Sequence, residues 1–452
     1  MLFPTVIFTL FFIVFLALWR LFGGTPTARE RLLAAATVVF YGSVSGAMLA
    51  YLAAWSVLLW WGGKSSSSEG EAGSAARRRI AFVAAGAGIL QLAFWKGFEL
   101  FNKPDLPAPL NHWVVPLGVS FFTFQGLTYL FQRMRGELDG PWNVTRLFAF
   151  CGFFPTLLSG PIVRARDWLA NLTQPADIDL NRAMAMLVLG LTYKLVFSTL
   201  LGSFTNSLYS EPAEQAATGV FLGLYAYSLQ LYCDFCGYSL MAGAVAHLFG
   251  FRVPENFDRP YASTSVAEFW RRWHISFSTW LKDYVYIAAL GGNRKGQVRQ
   301  VLNVVTTFLL CGAWHGFALH YLIWGAWQAI SVAWSSVVRV RMPPWAARIV
   351  AGHVIALGWV WFRASSAPDA LDYFDALFTG GWTWDPEYVL VIAWLIGAAL
   401  LHVFEKQVLS GMAEGGARLR SAIPQAVYWA VLVVVTLLAS PPGLPPFIYA
   451  SY

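Results

Sequence analysis

Charge is what this sequence has least of. Asp, Glu, Lys and Arg make up 12% of its 452 residues, about half the roughly 25% of soluble proteins. With 57% of the chain apolar, too few polar groups remain to cover a water-facing surface. Disorder, a coiled coil and an ordinary cytosolic enzyme are excluded, and an all-α polytopic membrane protein remains. Cysteine is also scarce. All four (Cys151, Cys233, Cys236 and Cys311) lie in apolar stretches, which excludes the disulfide framework of a secreted domain. Cys233-Asp-Phe-Cys236 has redox spacing without a βαβ context, so it reads as packing. No separate basic domain is present to hold nucleic acid. The excess of 31 Lys and Arg over 24 Asp and Glu belongs to cytoplasmic loops. No internal repeat is visible, which weighs against transporters built from inverted repeats. No nucleotide-phosphate loop, nucleophile elbow or HExxH motif appears.

What is present is a series of apolar runs. Met1 to Trp19 reads as a retained first span rather than a cleaved signal, because no basic n-region precedes it. Arg20, Arg29 and Arg31 place the next loop inside and the N-terminus outside. Leu32 to Trp61 is too long for one span of about 20 residues, and Gly42-Ser-Val-Ser-Gly46 divides it into a helical hairpin. A Ser/Gly-rich flexible loop follows over 62–79. Further spans are predicted near 80–95, 113–131, 183–203, 219–249, 301–337, 349–362, 388–404 and 424–440. Phe148 to Val163 has basic residues on both sides and is broken by Pro155, Gly160 and Pro161. It is predicted to enter and leave by one face, its non-helical backbone surrounded by protein or lining a cavity.

Three segments carry chemistry. Ser265-Val-Ala-Glu268 fits a capping box, and Phe269, Trp270, Trp273, Phe277, Trp280, Leu281 and Tyr284 then recur at helical spacing. Arg271, Arg272 and Lys282 lie between them, predicting an amphipathic helix along the cytoplasmic interface. Its basic residues suit either lipid phosphates or an anionic substrate. His274 lies inside this segment. His315, within Gly312-Ala-Trp314-His315-Gly316, is embedded in a strongly apolar run. An ionisable group at that depth is expensive and points to function, and low dielectric favours a neutral ring able to accept a proton. Positions 315 and 320 lie roughly 140° apart around a helix, which argues against a metal pair. Asp234, another intramembrane ionisable group, either lines a polar cavity or pairs with an Arg from elsewhere.

Taken together these segments resemble the membrane-bound O-acyltransferase (MBOAT) family, in its bacterial alginate O-acetyltransferase-like branch. The match runs through Val115-Pro-Leu-Gly-Val-Ser-Phe-Phe-Thr-Phe124, Phe154-Pro-Thr-Leu-Leu-Ser-Gly-Pro-Ile-Val-Arg164 and Asp234-Phe-Cys-Gly-Tyr-Ser239. It continues through Pro254-Glu-Asn-Phe257, Phe269-Trp-Arg-Arg-Trp-His274, Trp280-Leu-Lys-Asp-Tyr284, Gly291-Gly-Asn-Arg-Lys295, Gly312 to Gly316 and Trp359-Val-Trp-Phe-Arg363. Cys236 and Leu240 depart from the family pattern, and Pro446 to Tyr452 keeps part of the family's ending. The resemblance implies a ring of roughly 10–12 transmembrane helices around a central tunnel, with re-entrant segments and an interfacial amphipathic helix. It implies one integral-membrane domain over 1–452: N-terminal helices over 1–112, a catalytic core over 113–363 and C-terminal helices over 364–452.

On the same resemblance His315 is the catalytic base and His274 a second functional histidine. The substrate-binding set is Asp234, Arg271, Arg272, Trp273, Lys282, Asn293, Arg294, Lys295, Asn303 and Trp314. No metal and no tightly bound cofactor are expected. Acetyl-CoA is the expected donor substrate, strongly anionic and suited to the Arg and Lys residues. The acetyl group would cross a bacterial cytoplasmic (inner) membrane to hydroxyls of an extracytoplasmic polysaccharide or peptidoglycan, directly or through an SGNH-type transferase partner. The alternatives are D-alanyl transfer from a carrier protein to teichoic acid, and a non-enzymatic transporter.

Overall fold

The computed structural model describes residues 5–64, 71–101, 115–138, 140–294, 296–338 and 341–442; for 71–78 and 99–101 it describes the backbone alone. Lys295 and the C-terminal stretch from Pro446 to Tyr452 therefore lie outside the described residues. Those residues are dominated by helices, with one isolated antiparallel bridge between Phe257 and Trp273. Among the described residues six helices are long and apolar enough to cross a membrane: Gly46–Lys64, Arg79–Phe98, Leu180–Ser210, Pro344–Arg363, Tyr388–Arg418 and Ala422–Ala439. The chain is a multi-pass, all-α membrane protein.

The described residues group into two units. One comprises Met1–Leu187 and Tyr238–Pro254. Its hairpin forms where predicted: Pro26–Gly42 and Gly46–Lys64 meet across Gly42 to Gly46. Thr25 caps the first of these through Ala28 N–H at 3.2 Å, with Pro26 at the first helical position. Helix Glu71–Phe101 begins well inside the 62–79 stretch, since Ala72, Ala75 and Ala76 are strong helix formers. Phe148 to Val163 is broken as predicted, and protein surrounds its non-helical part. Helix Val144–Cys151 stops at Gly152, and residues 152–163 continue as buried, non-helical backbone. Protein groups satisfy that backbone: Thr37 Oγ1 donates to the Gly152 carbonyl at 2.8 Å and Gly160 N–H to the Thr156 carbonyl at 3.0 Å. Edge-on packing of Phe15 against Phe154 (5.0 Å) and Phe249 (5.2 Å) forms the aromatic core beside it.

The second unit comprises Val188–Gly237 and Glu255–Tyr452. The apolar run over 301–337 is two helices, Gln297–His315 and Leu319–Val337, joined by a short turn. Glycines let the pair close. A Cβ on Gly312 would stand 2.5 Å from the Tyr321 carbonyl oxygen, and one on Gly325 2.6 Å from that of Phe308. A π-helical turn over Thr192–Phe197 widens the helix that carries Lys194. All four cysteines are buried and free.

Candidate active site

The expected single amphipathic helix over 265–284 is interrupted. Ser265 caps helix Val266–Arg272, its Oγ accepting from Glu268 N–H at 3.1 Å. Glu268 completes the cap on Thr264, taking its N–H and hydroxyl at 2.8 Å each. Burial would raise the Glu268 carboxyl, but these bonds and the Arg272 guanidinium at 2.8 Å hold it below its ordinary value. The helix then stops. Trp273 is extended, and His274 has φ 43°, ψ 54°, the left-handed region. For a residue with a Cβ that conformation costs roughly 1–2 kcal/mol. Helix Ile275–Trp280 follows and continues as a π-helix over Leu281–Ala289. The break has a visible cause in residues 256–258, which pair with the chain on either side of it. Asp258 N–H donates to the Arg272 carbonyl at 3.0 Å and Ile275 N–H to the Asn256 carbonyl at 2.9 Å.

The break turns His274 inward. It is 3% exposed, and its Nε2 has no hydrogen-bond partner among the described residues. Its ring lies edge-on to Phe235 at 4.6 Å and against Phe277 at 5.1 Å. From Phe277 the rings continue to Trp314 at 4.3 Å, and from Trp314 to His315 at 4.3 Å. His315 is the last residue of its helix and is 6% exposed. Phe362 (4.8 Å) and Trp324 (5.2 Å) stand edge-on to it. The two histidines thus flank one aromatic wall, His274–Phe277–Trp314–His315. Trp273 packs behind it, 5.3 Å from both Phe269 and Trp359. His320 is turned elsewhere, with Nδ1 3.0 Å from the Trp361 carbonyl.

The other residues singled out from sequence fall into three groups. Asp234 is 0% exposed and forms an ion pair with Lys194, with a further bond from the Ser198 hydroxyl at 3.2 Å. Its cation is therefore a lysine rather than an arginine. Asn303 is buried, and its amide donates to the carbonyls of Leu290 (3.1 Å) and Gly292 (2.6 Å), fastening the Gly291–Arg294 loop. Arg271, Lys282, Asn293 and Arg294 are exposed, whereas Arg272 is tied to Glu268 and to the Asp258 carbonyl at 3.3 Å.

Several buried ionisable groups escaped the sequence reading, Lys194 and Glu405 among them. Lys194 is the single charged residue between Arg182 and Glu211, a signal as plain as that of Asp234. Glu405 lies just beyond the predicted 388–404 span. It accepts from Tyr193 OH at 3.1 Å, from Tyr232 OH and from Cys236 Sγ at 3.7 Å. Cys236 is thus part of a buried polar cluster.

Comparison with known proteins bears on this geometry. A family model described as MBOAT, membrane-bound O-acyltransferase family, matches residues 40–368. The "Probable alginate O-acetylase AlgI" of Pseudomonas syringae pv. tomato is 37% identical over 283 residues, 61% of this chain and 54% of that protein. A Helicobacter pylori peptidoglycan O-acetyltransferase is 31% identical over 296 residues, covering 58% and 56% of the two chains. A Bacillus subtilis teichoic acid D-alanyltransferase is 30% identical over 264 residues, covering 55% and 67%. The chain spans about half the length of the first two.

Proposed function

Because this chain belongs to the membrane-bound O-acyltransferase family, we propose that it transfers an acetyl group from cytoplasmic acetyl-CoA to hydroxyls of an extracytoplasmic polysaccharide or peptidoglycan. The observation that carries the reading is His315, buried at the end of its helix on the same aromatic wall as His274. In this reaction His315 takes the hydroxyl proton as the acceptor oxygen attacks the thioester carbonyl. The new C–O bond forms, the C–S bond breaks, and the proton passes to the departing thiolate. General-base help of this kind contributes about 10²–10⁴-fold, and the surrounding Trp and Phe rings exclude competing water. Exposed Arg271, Lys282 and Arg294, with Lys295 beside them in sequence, hold the donor's phosphates; Arg272, already engaged by Glu268, orders the helix end. The acceptor is acylated directly or through an SGNH-type partner, and the bacterial relatives support a cytoplasmic (inner) membrane location.

A second reading, transfer of D-alanine from a carrier protein, draws support from the likeness to the teichoic acid D-alanyltransferase. Proteoliposomes holding the full chain separate the two when given labelled acetyl-CoA or a D-alanyl-charged carrier protein together with envelope acceptors. Label from acetyl-CoA on the acceptor is the expected result, lost in His315→Ala. Undiminished transfer by that variant overturns the assignment of the base.

A further inference from the structure

His274 is one of two residues other than glycine with positive φ among the described residues, and the structure shows what holds it there. Asn256 meets the chain just beyond the break with two acceptors. Its carbonyl takes Ile275 N–H at 2.9 Å. Its side-chain Oδ1 takes the Ser276 hydroxyl at 2.7 Å and Ser276 N–H at 3.3 Å. On the near side of the break, Phe257 and Asp258 pair with Trp273 and Arg272. The left-handed turn is thus clamped from both ends. Asn256 and Ser276 are themselves buried, so water does not substitute for the bond between them. Backbone strain sustained by such surroundings, on a buried side chain with an unanswered ring nitrogen, is the pattern of a functional group placed on purpose.

We propose that Asn256 and Ser276 are positioning residues for the acyl transfer, acting through His274. Their side-chain bond keeps residue 274 left-handed, which aims its ring at the Phe235–Phe277 wall with Nε2 buried and without a hydrogen-bond partner among the described residues. Relaxing the turn into an ordinary helix would swing the ring away from that wall. The inference rests on the acyltransferase reading above.

The test measures transfer from labelled acetyl-CoA by the full chain in membranes, with kcat and KM separated and thermal unfolding followed in detergent. Asn256→Ala and Ser276→Ala are each expected to lower kcat about 10–100-fold, the cost of a small misplacement of a reacting group. KM for acetyl-CoA should stay within about two-fold, since ground-state binding is untouched. Ser276→Thr, which keeps the hydroxyl, should restore the rate. The proposal is overturned by either alanine variant with kcat near the parent's, or by a loss that Ser276→Thr shares. If Asn256→Ala fails to fold, the Ser276→Ala and Ser276→Thr pair decides on the same criteria. His274→Gly, which tolerates the left-handed turn, separates the failures. A fully active His274→Gly removes the role of the ring and this inference with it. An impaired His274→Gly beside fully active Asn256→Ala and Ser276→Ala removes the clamp alone. A parent chain inert with acetyl-CoA and with a D-alanyl carrier protein sinks both readings.

Discussion

Asp234 and Lys194 show how a membrane interior treats single charges. Each would be expensive alone, and each is buried against the other with Ser198 on the remaining side. Removing one partner strands the other. Lys194→Met is expected to destabilise by about 3–5 kcal/mol, and Lys194→Met with Asp234→Leu by much less. Thermal unfolding in detergent checks this, and a single variant as stable as the double would contradict it. Asp234 was legible as an isolated charge with a basic partner as one alternative, but which residue supplies the cation was not. Pairing depends on how two helices rotate about their axes, and an apolar run without strong periodicity carries little information about that. His315→Ala belongs at the same scale, with loss of transfer in a folded chain as its expected result.

At the scale of elements, the hairpin of Gln297–His315 and Leu319–Val337 depends on backbones in near contact. Gly312→Val places a Cβ 2.5 Å from the Tyr321 carbonyl oxygen, which cannot move aside as a flexible side chain would. A loss of about 1–3 kcal/mol is expected, read as a lowered melting temperature. The segment after Ser265 teaches a different lesson. Its cap and its apolar stripe were legible: Phe269, Trp273, Phe277, Trp280 and Tyr284 are buried as the spacing predicts, while Trp270 and Leu281 are half-buried. The break at His274 was not, because the stripe runs through it unaltered and its cause is pairing with residues 256–258. That short loop is tied in turn to helix Tyr388–Arg418 by Asp258 and Lys406 at 2.9 Å. The hydrogen bond from Lys406 holds the Asp258 carboxyl below its ordinary value. A lowered folded value means that this stability is present above the ordinary carboxylate range, about 4. It is lost as pH falls through the lowered value. The pair is half exposed, so the effect is under about 1 kcal/mol. Comparing melting temperatures between pH 7 and pH 3 should show a shallower acid-side fall for Asp258→Asn than for the parent.

At the scale of the whole molecule, the membrane class followed from composition, and the family from short motifs spread between residue 115 and the C-terminus. The relation between the two histidines needed coordinates, since Phe277 and Trp314 meet across sequence. The exposed cations make a further prediction. If Arg271, Lys282 and Arg294 gather an anionic donor, KM for acetyl-CoA should rise with ionic strength while kcat holds steady. Replacing all three by Ala should flatten that dependence in salt-titrated initial rates, and an unchanged slope would count against it. The four buried thiols have a practical consequence. A maleimide unable to cross membranes should leave the folded protein unmodified and label it only after denaturation, which mass spectrometry reads directly. A cysteine introduced into any exposed loop would then be the sole reporter of which side of the bilayer that loop faces. The natural chain is already a silent background for mapping its own orientation.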